Sequence, residues 1–294
     1  MFLWNEKAIQ IVAGPCSVES EEQLFATARG LKKIGIQTLR GGIWKPRSRA
    51  HHFEGVGESG LRWLQRVLQE LSMQVAIPGL PLFCGSMHPD LFFVRDVDVN
   101  YAGVVKGRKE EFVRLGLTEK THYLASTGIQ GQIADSRSLV LLDAYAVDGL
   151  QAEQIRFLHA PEYLNPTYEY GVTFERGTAV EYGDRKHIFI SGTASIDNRG
   201  EVVYPGNIAG QTRRMLLNIE ALLKEAGSSL ADLAKMIVYL RDIADYPIVR
   251  DLMEQQFPDV PKVIVLAPVC RPGWLIETEC IAIKAGGNPE FRNL

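Results

Sequence analysis

The chain has 294 residues, 46% of them hydrophobic, which suffices for one large domain or two of ordinary size. A net charge of −3 without a long basic run argues against nucleic acid as the main partner. No apolar run approaches the roughly 20 residues of a membrane span, and MFLWNEKAIQIVAG lacks the pattern of a secretory leader, so a soluble, cytoplasmic protein is expected. Cys16, Cys84, Cys270 and Cys280 are scattered without a CxxC pair; neither a zinc site nor a disulfide framework is indicated, and no cofactor is expected.

In chain order, IQIVAGPC (9–16) predicts a strand ended by Gly14-Pro15, with Ser17 as a helix cap and a helix through LFATARGLKKIG ended by Gly35. Ile36 to Arg40 predicts a second strand, 41–60 a polar loop, and LRWLQRVLQEL (61–71) a helix. This is the opening of a parallel β/α array. The Pro- and Gly-rich stretch 77–90 marks a boundary, giving expected domains at 1–78, 79–160 and 161–294. After it LFFVRDVDVN (91–100) predicts a strand and YAGVVKGRKEEFVRLG (101–116) a helix. HYLASTGIQG and SLVLLDAYAV then predict two strands joined by a polar turn.

The stretch 158–177 is dense in aromatics and turn residues, suiting either a binding loop or a strap over the core. Strands over AVEYG, HIFISGTASI and EVVYPG follow, then a helix from Ile208 to Ala226 with Met215, Leu216, Ile219, Leu222 and Leu223 at helical spacing. That face is expected to pack on a sheet containing Phe189, Val238 and Ile281. KMIVYLRD predicts a strand, YPIVRDLMEQQF a helix, and VLAPVCRPGWLIETECIAI (265–283) a hairpin turning at Pro272-Gly273. An amphipathic helix pair on one face of a mixed sheet is an α+β architecture.

On the last strand, alternation sends Glu277 and Glu279 to one face and Ile276, Thr278 and Cys280 to the other. If that face is solvated, the pair is an ordinary polar side. If Arg271, Cys270 and Trp274 are brought alongside, a carboxyl beside apolar Trp274 keeps its proton as a general acid while Arg271 holds an anion.

The opening residues AGPCSVES, LRGGIWKPRS and FEGVGESGL resemble a DAHP synthase, a TIM-barrel enzyme of the shikimate pathway, over about residues 9–76. The resemblance implies a metal ligand at Cys16 and phosphorylated-substrate contacts at Arg40, Lys45 and Arg47. A complete barrel needs about 250 residues, and the match stops after two β/α units. The segment is therefore expected to bind neither metal nor phosphoenolpyruvate productively.

From about 178 to 284, FISGTASI, GQTRRMLLNIEALLKEAG, MIVYLRD and the ending CR...IETECIAI resemble the Rid (YjgF-like) superfamily. This implies a Rid/chorismate-mutase-like α+β domain at the C-terminus, a partial second Rid-like unit in the middle and a short βαβα segment at the N-terminus. GRKEEF...ASTGIQG, the Phe174-Glu175-Arg176 segment and the gapless spacing from Cys270-Arg271 to Glu277 are closer to the chorismatases, which carry two such units in tandem. The first half of the first unit is missing, and a longer linker leaves Tyr163, Tyr168 and Tyr170 without assigned roles. The resemblance implies cleavage of the enolpyruvyl ether of chorismate, with Glu277 as proton donor, Arg176 and Arg271 on the substrate carboxylates, Phe174 in the substrate-binding segment, and Cys270 marking the subclass that forms 3-hydroxybenzoate. A small carboxylate substrate and a homo-oligomer, commonly a trimer for a Rid core, are the expected partners, with no nucleic acid, membrane or metal. The rival readings are a Rid-type imine deaminase using the same residues, a non-catalytic small-acid-binding protein, and a DAHP synthase.

Overall fold

In the computed structural model of the chain, which describes residues 12–15, 17–43, 55–76, 87–131, 138–147 and 149–293, the first helix is capped by Ser20 rather than Ser17. The Ser20 hydroxyl accepts the Gln23 amide at 3.1 Å, leaving Glu21 and Glu22 in the first turn, where the helix dipole favours acids. The unit built on Met1–Pro81 runs β1 (Val12–Ala13), α1 (Glu21–Lys33), β2 (Thr38–Arg40), α2 (Glu58–Leu71) and β3 (Gln74–Ala76). Its strands are parallel in the order β1-β2-β3, and Leu24, Phe25, Leu39, Leu64 and Val67 form its core. Arg40 lies in β2, whereas Cys16, Lys45 and Arg47 lie outside the described residues.

The second unit is built on Leu82–Ile133 and Ser138–Leu294, so the middle and C-terminal stretches, expected as separate domains, share one body. It begins with β4 (Met87–Val94), α3 (Val97–Arg114), β5 (Ser126–Gln130) and β6 (Val140–Ala146). LFFVRDVDVN is not strand throughout. Asp96 turns left-handed at φ 45°, and α3 starts at Val97 rather than Tyr101. The alternating VDVN suits a first helical turn equally well, with Val97 buried and Val99 facing solvent. The three strands lie in the order β5-β4-β6, so β4 separates the two strands that the sequence joins by a turn.

The remaining elements are β7 (Ile155–Phe157), β8 (Gly177–Glu181), β9 (Arg185–Ala194), α4 (Ile208–Glu225), β10 (Leu233–Leu240), α5 (Tyr246–Gln256), β11 (Lys262–Leu266) and β12 (Ile276–Ala285). Six of them form a mixed sheet in the order β11-β10-β12-β9-β8-β7. Two expectations are corrected here. EVVYPG contributes only an isolated bridge, Ile196 to Val202, and β11 and β12 are not a hairpin. Between them lies β10, parallel to β11 through the α5 crossover and antiparallel to β12. The Pro272-Gly273 turn therefore belongs to a loop that carries the chain past β10.

The periodic face of α4 is buried as its spacing requires. Met215, Leu216, Ile219, Leu222 and Leu223 join Val238, Cys280 and Ala282 in the main core. Phe189 and Ile281 lie on the opposite side of the sheet, in a smaller cluster with Val180 and Tyr182, because each strand position is one step out of phase with its neighbours. Truncating fully buried Leu222 to Ala is expected to cost about 2–5 kcal/mol through lost burial and the cavity left behind. Denaturant unfolding checks this, and a loss below about 1 kcal/mol would contradict the packing.

Candidate functional site

Glu277 sits on β12 on the face turned away from α4, with a relative exposure of 3%. Its Oε1 lies where Gly192 of β9 has no side chain; a Cβ at Gly192 would be 1.8 Å away. The carboxyl thus rests directly on the backbone of the neighbouring strand. Burial, reinforced by the Glu279 carboxylate, pushes its pKa up to about 8 against the opposing pull of Arg176. At neutral pH Glu277 is a protonated acid, and Oε2 has no hydrogen-bond partner among the described residues.

What covers this strand comes from far upstream. β5 is stitched to β9: the Ser126 amide donates to Ser191 Oγ and the Gly192 amide to Thr127 Oγ1, both at 2.9 Å. Next to β5, helix α3 presents Tyr101, Val104, Val105 and Arg108 to the cavity that contains Glu277. Their spacing of i, i+3, i+4 and i+7 defines one helix face, a signal present in the sequence that lies, apart from Arg108, outside the motifs that carry the family resemblance. Arg108 is held by a two-point pair with buried Asp90 at 3.0 and 3.3 Å, by Ser126 Oγ at 2.8 Å, and by the rings of Phe92 and Phe112. Its charge is already neutralised, so it anchors α3 to the sheet. The clamp between Arg241 and Asp98, with both hydrogen bonds at 3.0 Å, ties the start of α3 to the end of β10.

The aromatic stretch 158–177 is both strap and binding loop. A single 3-10 turn over Thr167–Tyr170, ended by Gly171 at φ 84°, brings Tyr170 into the cavity. Phe174 and Thr173 follow on the same wall. Tyr163 lies elsewhere, under the Arg214 guanidinium, and Tyr168 lines a neighbouring cavity. Burial raises the Tyr170 hydroxyl to about 12, and neither that hydroxyl nor Thr173 Oγ1 has a hydrogen-bond partner among the described residues.

The structure gathers the residues singled out in the sequence, with two differences. Cys270 lines the cavity, with its thiol hydrogen-bonded to Tyr101 and pushed up to about 12 by burial, so it stays a neutral thiol. Trp274 is buried beside it. Arg271, expected next to Glu277, is instead at the exposed rim, 4.9 Å from the Tyr170 ring centre and 5.6 Å from that of Trp274. The cation that acts on Glu277 is Arg176, which stands behind the cavity wall at 5.3 Å from the Tyr170 ring and 5.6 Å from Phe174. Buried Gln211 of α4 fixes the rim loop by accepting the Leu275 amide at 3.0 Å and donating to the Gly273 carbonyl at 3.2 Å. Among the described residues no cluster of three or more metal-binding side chains occurs. No helix among them is long and apolar enough to cross a membrane.

The α+β sheet that carries the buried acid has the fold of a Rid-type domain. Residues 177–284 match the Endoribonuclease L-PSP family model, and residues 4–91 match that of the DAHP synthetase I family. A RutC family protein of Pyrococcus abyssi is 37% identical over 99 residues, 33% of this chain and 78% of that protein. The chain belongs to the RutC family. A 3-hydroxybenzoate synthase of Streptomyces hygroscopicus is 30% identical over 200 residues, which is 62% of this chain and 57% of that enzyme. A crystal structure of a chorismatase shares the fold, with a TM-score of 0.56 and 20% identity over 76% of this chain and 69% of that one. A phospho-2-dehydro-3-deoxyheptonate aldolase of Thermotoga maritima is 44% identical over 70 residues, 24% of this chain, and the chain spans 21% of that enzyme.

Proposed function

We propose that this protein cleaves the enolpyruvyl ether of chorismate, releasing pyruvate and 3-hydroxybenzoate. The observation that carries the reading is Glu277, a buried carboxyl protonated at neutral pH in a cavity where Cys270 and Tyr170 do not titrate until about 12. Cleavage of an enol ether begins with a proton on its methylene carbon, which leaves an oxocarbenium ion. An acid that is neutral at the working pH is the group this step requires. The substrate's own C4 hydroxyl then displaces pyruvate at C3 to give a protonated ring oxide, whose C4–O bond opens, and loss of the C3 proton gives the aromatic product with no water consumed. Capture of the oxocarbenium by water would give a dihydroxycyclohexadiene carboxylate instead. Cys270 and the likeness to a 3-hydroxybenzoate synthase over 62% of the chain favour the first outcome.

In this reading Arg271 takes one substrate carboxylate at the rim, and Arg176 adds positive potential from behind Tyr170 and Phe174. The unpaired Tyr170 hydroxyl and Thr173 Oγ1 offer further hydrogen bonds. A bound dianion opposes ionisation of Glu277 and keeps the proton in place. The rival use of the same residues is imine hydrolysis, with Arg271 on a carboxylate and Glu277 positioning water. Incubating the purified protein with chorismate is expected to release equal amounts of pyruvate and 3-hydroxybenzoate. Inertness toward chorismate, with ammonia released from an imino acid, would select the deaminase.

A further inference from the structure

A second cavity, about 330 Å³ in volume, opens beside Arg176. The guanidinium at its base has a relative exposure of 4%. It donates from Nε and Nη2 to the Asn165 carbonyl at 3.2 and 2.9 Å and from Nη2 to Asn165 Oδ1 at 3.2 Å. These bonds fix the planar fork and leave Nη1 without a partner among the described residues. Among the described residues no carboxylate forms an ion pair with it. A buried cation without an anion is costly, so the site favours a carboxylate ligand.

The same cavity also holds an acid. Glu175 accepts the Tyr123 amide through Oε1 at 2.8 Å, while among the described residues Oε2 has only His159 Nδ1 at 4.0 Å. One wall is a flat pair: His122 stacks on Phe157 with ring centres 4.5 Å apart and an interplanar angle of 17°. Burial lowers the His122 pKa, so this wall is uncharged at neutral pH. Tyr168 stands half-exposed at the mouth. An anion receptor, a cation receptor and an aromatic wall therefore meet in one space outside the cavity that holds Glu277, and of these groups the chorismate reading uses only Arg176, through its charge.

We infer that this second cavity binds a free aromatic α-amino acid as its zwitterion. The carboxylate meets Arg176, the ammonium meets Glu175, and the ring lies against His122 and Phe157. A dianion is opposed by Glu175 and Glu119, and an aromatic acid without an amine leaves Glu175 unmatched. The inference shares Arg176 with the chorismate reading but does not rest on that reading.

Calorimetric titration of the full chain with L-phenylalanine is expected to give saturable binding. Phenethylamine, which lacks the carboxylate, and 3-phenylpropanoate, which lacks the amine, should each bind about 10-fold more weakly or worse. Glu175→Gln keeps an oxygen for the Tyr123 amide and should weaken L-phenylalanine by about 10-fold while strengthening 3-phenylpropanoate, whose carboxylate no longer faces an unmatched acid. If that variant does not fold, Tyr168→Ala, a truncation at an exposed ring, should weaken L-phenylalanine several-fold. Glu277→Gln should leave its affinity unaltered, which separates this cavity from the first. No saturable binding at millimolar L-phenylalanine, equal affinity for either analogue, undiminished affinity in Tyr168→Ala, or loss of binding in Glu277→Gln would each overturn the proposal.

Discussion

Glu277→Gln is expected to slow pyruvate release from chorismate by about 100-fold or more while leaving the fold intact, because the amide keeps the shape of the protonated acid but has no proton to give. The wild-type pH profile should carry the same signature. With a pKa of about 8 in the free protein, kcat/KM should hold steady near neutrality and fall as pH rises through 8 and the donor ionises. Stability should follow the same group. Its folded pKa lies above the ordinary value of 4.5, so the stability it confers is complete below 4.5 and is lost as pH rises through about 8. Each unit of that elevation is worth about 1.4 kcal/mol. Gln at this position escapes the loss, so the variant should melt above the wild type at alkaline pH, with the gap closing in acid. A variant that turns chorismate over at the wild-type rate would end the general-acid role.

Gly192→Ala should be nearly as damaging. The new Cβ would fall 1.8 Å from Glu277 Oε1 and 2.9 Å from both its Cδ and Thr127 Cγ2, so the carboxyl has to leave its place. Backbone strain is not the cause, since Gly192 lies within extended β9. Overfilling a packed interior costs about 1–3 kcal/mol, which the domain can survive. Turnover should nonetheless fall by about 100-fold, because the displaced acid no longer faces the substrate. Combining Gly192→Ala with Glu277→Gln should be no worse than either change alone, since both remove the same proton. Losses that multiply in the double variant would show that Gly192 acts through something else.

The sequence made α4 legible because a long apolar period has few other solutions, and the strand and helix order of the C-terminal half followed from similar patterns. Alternation along β12 also placed Glu277 and Glu279 together. What it could not convey was which face of the sheet is covered. That depends on α3 and the strap around Tyr170, which reach Glu277 only through tertiary contacts. The expected hairpin fails for the same reason: Pro272-Gly273 marks a reversal of the chain but does not name the strand that pairs afterwards, and β10 takes the place between. Phe189, Val238 and Ile281 all lie in the sheet on which α4 packs, as expected, but apolar character alone does not reveal that Phe189 and Ile281 face away from the helix, because this sheet has two buried faces. The role of Tyr170 was hidden because a single 3-10 turn leaves no periodic trace.

The hydrogen bonds that join Thr127 and Ser126 to β9 bear on how such a protein diverges. The proton on Glu277 is retained through shelter provided by another part of the chain, so acid strength here is a transferable attribute of the covering segment. Drift at Tyr101, Val104 or Val105 can admit or exclude water and so retune the carboxyl between proton donor and proton acceptor without a change on β12. A descendant that lost this segment, or obtained the same shelter from a neighbouring chain, would carry an unchanged acid-bearing strand in a different electrostatic setting.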